Sequence, residues 1–145
     1  MVYTSKFPPF AVTVDAVVLT IREDRLHALV VTRREGPFKG KLALPGGYVD
    51  RHEDLAPALE RELSEETGIS VRRVRVDQFA AYGQPDRDPR SRTVSVAYLA
   101  VLPDPPEPAG GDDAARAGWR PVSWLLARRD RLARGCRHQH VRPRA

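Results

Sequence analysis

The stretch Gly47–Ile69, GYVDRHEDLAPALERELSEETGI, decides how the rest of the chain is read. Its centre, Asp54 to Thr67, predicts a helix. Asp54 supplies an N-cap oxygen, Pro57 falls in the first turn where a missing N–H breaks no bond, and Gly68 supplies a left-handed stop. Leu55, Leu59 and Leu63 recur every four residues and form a buried stripe. Glu62, Glu65 and Glu66 stand at i, i+3 and i+4, so they share one face at the edge of that stripe. Three carboxylates crowded there repel one another unless positive charge sits among them, and Arg61 neutralises only part of it. Hard divalent cations, Mg²⁺ or Mn²⁺, take such clustered oxygens together with phosphate oxygens and waters. Pro45-Gly46-Gly47, just before, predicts a turn whose bare backbone lets a carbonyl approach the same ions. By itself, the helix also fits a plain solvated face rich in Glu.

Outward from this segment the pattern is strand-rich. Phe10 to Ile21 and His27 to Thr32 read as two strands joined by a Glu23-Asp24 turn, and Leu42 to Leu44 as a brief third. Val71 to Tyr82 and Arg92 to Leu102 predict two more, separated by a polar loop. Pro103 to Asp113 reads as a long exposed loop, Trp119 to Val122 as a short last strand, and Ser123 as the cap of a helix starting at Trp124. The order β-β-β-α-β-β-β-α predicts an α/β domain with helices on a mixed sheet.

The 145 residues suit one domain. We expect it to occupy residues 1–126, followed by a basic tail over 127–145 that is partly helical or loosely ordered. The formal charge of +5 resides in that tail, where seven Arg face one Asp, and the remainder is near neutral. Without an aromatic residue to stack on bases, the tail argues against a nucleic-acid partner. Cys136 is the single cysteine, so no intrachain disulfide forms, and His138 and His140 are too isolated for a metal site. No signal-peptide pattern is present, and Ala11 to Ile21 is too short and too polar to span a bilayer. The expectation is a soluble, cytoplasmic protein without a membrane partner.

The decisive segment also carries fixed spacings: Gly47, five residues, Glu53, seven residues, then Arg61-Glu62-Leu63-Ser64-Glu65-Glu66-Thr67-Gly68-Ile69. It resembles the Nudix box, G-x5-E-x7-R-E-U-x-E-E-x-G-U with U aliphatic, at every specified position. Leu44 to Val49 and Trp119 to Val122 look like family features too, extending the resemblance over about residues 8 to 126. It implies an α/β/α sandwich whose loop–helix–loop holds a divalent metal. It also implies hydrolysis of a nucleoside diphosphate linked to a further group, by in-line attack of water on phosphorus. Carried over by position, Glu62, Glu65, Glu66 and the Gly46 carbonyl are implied metal ligands. Arg61 is implied to orient the carboxylates, and Glu53 to support the site's edge. The general base is left between Glu62 and a distal carboxylate, Asp112 or Asp113.

Pro85 lies sixteen positions past the end of the box at Ile69, a mark associated with ADP-ribose pyrophosphatases of this family. Arg87, Arg90 and Arg92 nearby are suited to phosphate or ribose oxygens. The resemblance thus implies a small-molecule nucleotide substrate, with cleavage of ADP-ribose to AMP and ribose 5-phosphate, and a homodimer. Two other readings stand beside it: a nucleoside triphosphate pyrophosphohydrolase, including for oxidised nucleotides, and a non-catalytic ligand sensor. The chain departs from the subgroup at its end, where an amphipathic helix gives way to the Arg-rich tail.

Overall fold

The computed structural model describes residues 2, 4–36, 38–109 and 116–133. Strand β1, Ala11–Arg22, is the spine of a seven-stranded sheet. Its inward positions Val14, Ala16, Val18 and Thr20 alternate with less buried ones, the period-two pattern of a strand with two different faces. Glu23 and Asp24 both adopt positive φ, 50° and 57°, and close a two-residue hairpin onto β2, Arg25–Thr32. That turn matches the twist of the two strands it joins.

The sheet runs β3 (Leu42–Ala43), β2, β1, β6 (Thr93–Val101), β5 (Val76–Tyr82). β6 pairs parallel with β1 from Ala11↔Thr93 to Leu19↔Val101, whereas β5 returns antiparallel along β6. Two further strands attach outside this path: β4, Gly46–Tyr48, on β1, and β7, Ala117–Pro121, on β2. β1 therefore changes partner along its length. Leu19 to Arg22 pair with β2, but Thr13 to Asp15 pair with β4. Thr13, Asp15, Gly46 and Gly47, from the β1–β4 pairing, line the candidate site.

Helix α1, Leu55–Thr67, packs Ala58, Leu59 and Leu63 on one face of the sheet, against Val14, Ala16, Val18, Val96 and Trp119. Helix α2, Val122–Ala127, covers the other face through Leu125, with Ala28, Val30, Leu19 and Trp124 in the same cluster. The result is a mixed sheet with helices on both faces, the α/β/α sandwich that the resemblance implied. Asp54 caps α1 as expected, its carboxylate accepting from Leu55 N–H at 2.7 Å. Gly68 closes the helix in the left-handed region at φ 69°. Asp54→Ala should lower stability by about 1 kcal/mol, the usual worth of an N-cap side chain. A denaturant midpoint unchanged from wild type would remove the cap from the account.

Three local expectations need correction. Pro45-Gly46-Gly47 is not a turn: Gly46 and Gly47 belong to β4, and neither has positive φ. The strand expected from Val71 begins only at Val76, because the Val71–Val74 stretch turns, with Val74 N–H donating to the Val71 carbonyl. α2 begins at Val122, with Pro121 at the capping position and no side-chain cap, so Ser123 is not the N-cap and Trp124 is not the start. The segment after α2 stays on the body as far as it is described. Leu132 bridges Leu42, Ala133 N–H donates to the Leu42 carbonyl, and Ala133 is buried.

Candidate metal and pyrophosphate site

Arg61 is the hub. Its Nε and Nη2 donate to the two Glu53 oxygens at 2.8 and 2.9 Å, and Nη1 donates to Glu62 Oε1 at 2.8 Å and Glu65 Oε2 at 3.4 Å. Nη2 also donates to the Tyr48 carbonyl at 3.1 Å, which ties the helix to the end of β4. A planar guanidinium suits this task because its donors point along fixed directions. The surrounding carboxylates hold Arg61 firmly protonated. Arg61 hydrogen bonds hold the Glu53 carboxyl below its ordinary value.

The two glycines of β4 have a second role that the turn reading missed. A Cβ on Gly47 would lie 2.5 Å from Glu62 Oε1, so the missing side chain is the room in which the Glu62 carboxylate sits. A Cβ on Gly46 would run into the Val14 carbonyl and lie 2.8 Å from Asp15 Oδ1. Gly46 N–H donates to Glu66 Oε2 at 3.2 Å. The backbone strip thus lies within contact of carboxylates from both α1 and β1, which is possible only without side chains.

Burial raises the Glu62 carboxyl above its ordinary value, opposed by the Arg61 hydrogen bond and reinforced by the Glu65 and Glu53 charges. Glu62 is largely enclosed, and the Glu65 side chain is 59% exposed. Among the described residues no three acidic, His or Cys side chains already converge on one point. Glu62 and Glu65 share Arg61, and Glu66 turns to Gly46. The donor set nevertheless fits a hard cation: acceptor-only oxygens on one helix face, one of them held at a cost in its charged form. A raised carboxyl binds protons more strongly in the fold than in the unfolded chain. Acidification through that window therefore favours folding of the metal-free protein while competing with any cation. Mn²⁺ affinity, followed by calorimetric titration, should accordingly weaken as the pH falls from neutral toward the range where an ordinary Glu protonates. Affinity constant over that interval would detach Glu62 from the ion.

A cavity of about 600 Å³ adjoins these groups, lined by Gly46, Gly47, Tyr48, Glu62, Glu66 and, from β1, Thr13 and Asp15. Arg87 and Arg90 also line it. Arg90 is gripped by Asp88, with Nε to Oδ1 at 3.0 Å and Nη2 to Oδ2 at 2.8 Å, and lies 5.3 Å from the centre of the Tyr48 ring. The Asp88 carboxyl is lowered, first by that hydrogen bond. Arg92 and Pro85 do not line the cavity. Arg92 donates to the Gly83 carbonyl at 2.8 Å and stacks on Phe10, and Pro85 is exposed. Alternation along β6 and the adjoining loop sends Arg92 the other way, a direction no spacing rule supplied. Asp112 and Asp113 lie outside the described residues.

The residues missed from sequence are Arg33, Arg34, Phe38 and Arg116 on loops facing the cavity, and Asp15 on its floor. Asp15 carried one usable signal, a charge in the middle of an apolar strand. Burial raises its carboxyl, a Ser95 hydrogen bond pulling the other way.

Comparison with known proteins agrees with this geometry. The family model described as NUDIX domain matches residues 9–138. An ADP-ribose pyrophosphatase of Methanocaldococcus jannaschii is 37% identical over 107 residues, 74% of this chain and 59% of that protein. An ADPR-responsive transcriptional repressor, NtrR, of Acinetobacter baylyi is 36% identical over 100 residues, 68% of this chain and 39% of the repressor. The chain thus spans well under two thirds of the length of both relatives. The NUDIX domain of Shewanella oneidensis NrtR, solved with ADP ribose, superposes with a TM-score of 0.73 at 30% identity, covering 86% of this chain and 82% of that one. With the family match running through nearly the whole chain and the box residues assembled around Arg61 and the Gly46-Gly47 strip, this chain belongs to the NUDIX domain family.

Proposed function

We propose that this protein is a divalent-metal-dependent pyrophosphohydrolase acting on ADP-ribose and releasing AMP and ribose 5-phosphate. The observation that carries the reading is the carboxylate face of α1 set against a side-chain-free strip at the mouth of a nucleotide-sized cavity. Likeness to an ADP-ribose pyrophosphatase and to a domain that binds ADP ribose supports the substrate. Glu62, Glu65, Glu66 and the Gly46 carbonyl would hold Mg²⁺ or Mn²⁺. The bound ion would supply charge neutralisation of the pyrophosphate and acidify a water.

The chain's own contributions follow from the site. Arg61 keeps Glu62 and Glu65 on one side of the helix and ties them to Glu53. Arg87 and Arg90, which line the cavity, are the cationic groups offered to phosphate or ribose oxygens. In this reading Glu62, enclosed beside the Gly47 strip, takes the proton from the attacking water.

Likeness to the repressor favours a second reading, a domain that binds ADP-ribose without cleaving it. A substrate panel with Mg²⁺ and with Mn²⁺, products identified, separates the readings on wild type and Glu65→Gln. AMP and ribose 5-phosphate from wild type, much reduced in the variant, are expected. Pyrophosphate and a nucleoside monophosphate from a triphosphate would move the substrate. Binding of ADP-ribose without turnover would favour the sensor, and undiminished turnover by Glu65→Gln would remove that ligand from the set.

A further inference from the structure

Asp15 is a carboxylate in the middle of β1 whose neighbours along the strand, Val14 and Ala16, are core. Such a group is retained inside a fold only when something uses it. Its Oδ2 accepts a hydrogen bond from Ser95 Oγ on β6, and Ser95 is fully buried. The carboxylate is therefore braced from behind while its open side lines the cavity.

Its place relative to the metal face is set by β4. The Cβ direction of Gly46 points at Asp15, and that of Gly47 points at Glu62. Successive residues of a strand face opposite ways, so the two carboxylates lie across a strip one backbone thick. Both line the same cavity. A ligand that fills this cavity can therefore reach Asp15 on one side of the strip and Glu62 on the other. An ionised carboxylate accepts and does not donate, so it repels phosphate oxygens and pairs with O–H or N–H. The moiety joined directly to the pyrophosphate of ADP-ribose, on either side, is a ribose rich in hydroxyls.

We propose that Asp15, braced by Ser95, accepts a hydroxyl of the ribose adjoining the pyrophosphate and makes the site selective for ribose-bearing ligands. This rests on the ADP-ribose reading above. Ser95 braces the carboxylate, and Arg33 and Arg87 place positive charge in the same cavity.

Three ligands test it on wild type, Asp15→Ala, Asp15→Asn and Ser95→Ala: ADP-ribose, ADP-ribose lacking both the 2′- and 3′-hydroxyls of its adenosine, and the methyl ester of ADP, which lacks the distal ribose. Asp15→Ala should lower kcat/KM for ADP-ribose about 10- to 100-fold, mostly through KM, the size expected for a hydrogen bond to a charged group. The ligand lacking the hydroxyl that Asp15 reads should lose no more than about twofold, which also reveals which ribose it is. Asp15→Asn, which keeps the volume and the Ser95 bond, should show the same ligand pattern with a smaller loss, and Ser95→Ala likewise. Equal losses on all three ligands, or none on any, would overturn the role of Asp15. Failure of wild type to bind or cleave ADP-ribose would instead overturn the substrate reading, before any variant is compared.

Discussion

Glu62→Gln should lower turnover by about 10²- to 10⁴-fold while leaving the fold at least as stable as wild type. The two outcomes have one cause. Glutamine has the shape of glutamate and keeps an oxygen that can accept the 2.8 Å bond from Arg61 Nη1. The Gly47 space accommodates either side chain. What disappears is a negative charge that burial already disfavours, so its removal relieves desolvation and repulsion from Glu65 and Glu53. The same charge is what a cation needs. Steady-state turnover with Mg²⁺ and a thermal melt without metal check both halves. A variant that keeps more than about a tenth of the activity would exclude Glu62 as both ligand and base.

The largest loss of stability should come from Gly46→Ala. The new Cβ would meet the Val14 carbonyl, a backbone atom fixed by the strand pairing Thr13↔Tyr48, Val14↔Gly47 and Asp15↔Gly46. It cannot rotate away, so β4 must leave β1 or the register must shift. We expect a cost of about 3 kcal/mol, at the upper end for overpacking, and a melting temperature lower by roughly 10 °C. Gly47→Ala is the informative contrast. Its Cβ meets the end of the Glu62 side chain, which can swing aside, so stability should stay near wild type while turnover falls about 10²-fold through the displaced carboxylate. Equal melting temperatures for wild type and Gly46→Ala would show that β4 is not held as described.

How much of this was legible beforehand varied with the range of the interaction. α1 was read correctly from Asp54 to Gly68, because capping, a leucine period of four and a left-handed stop are all local. The shared face of Glu62, Glu65 and Glu66 followed from the same helical period. The glycine pair was recognised and misexplained. Its backbone angles are ordinary, and the constraint is close approach by Val14, Asp15 and Glu62, which are distant in sequence. Arg87 and Arg90 line the cavity and Arg92 does not: it precedes Thr93, which lines the cavity, and successive extended residues face opposite ways.

By itself, then, the sequence determined the family, the box helix, its carboxylate face and the alternation of strands, all consequences of period and spacing over a few turns. Only the tertiary structure decided that β1 hands its pairing from β2 to β4, opening a cavity beside that helix. It alone showed Gly46 and Gly47 to be a thin wall between Glu62 and Asp15 instead of a turn. The reason is physical: pairing partners and van der Waals contact join residues 30 to 80 positions apart, and no local pattern encodes which of them will meet.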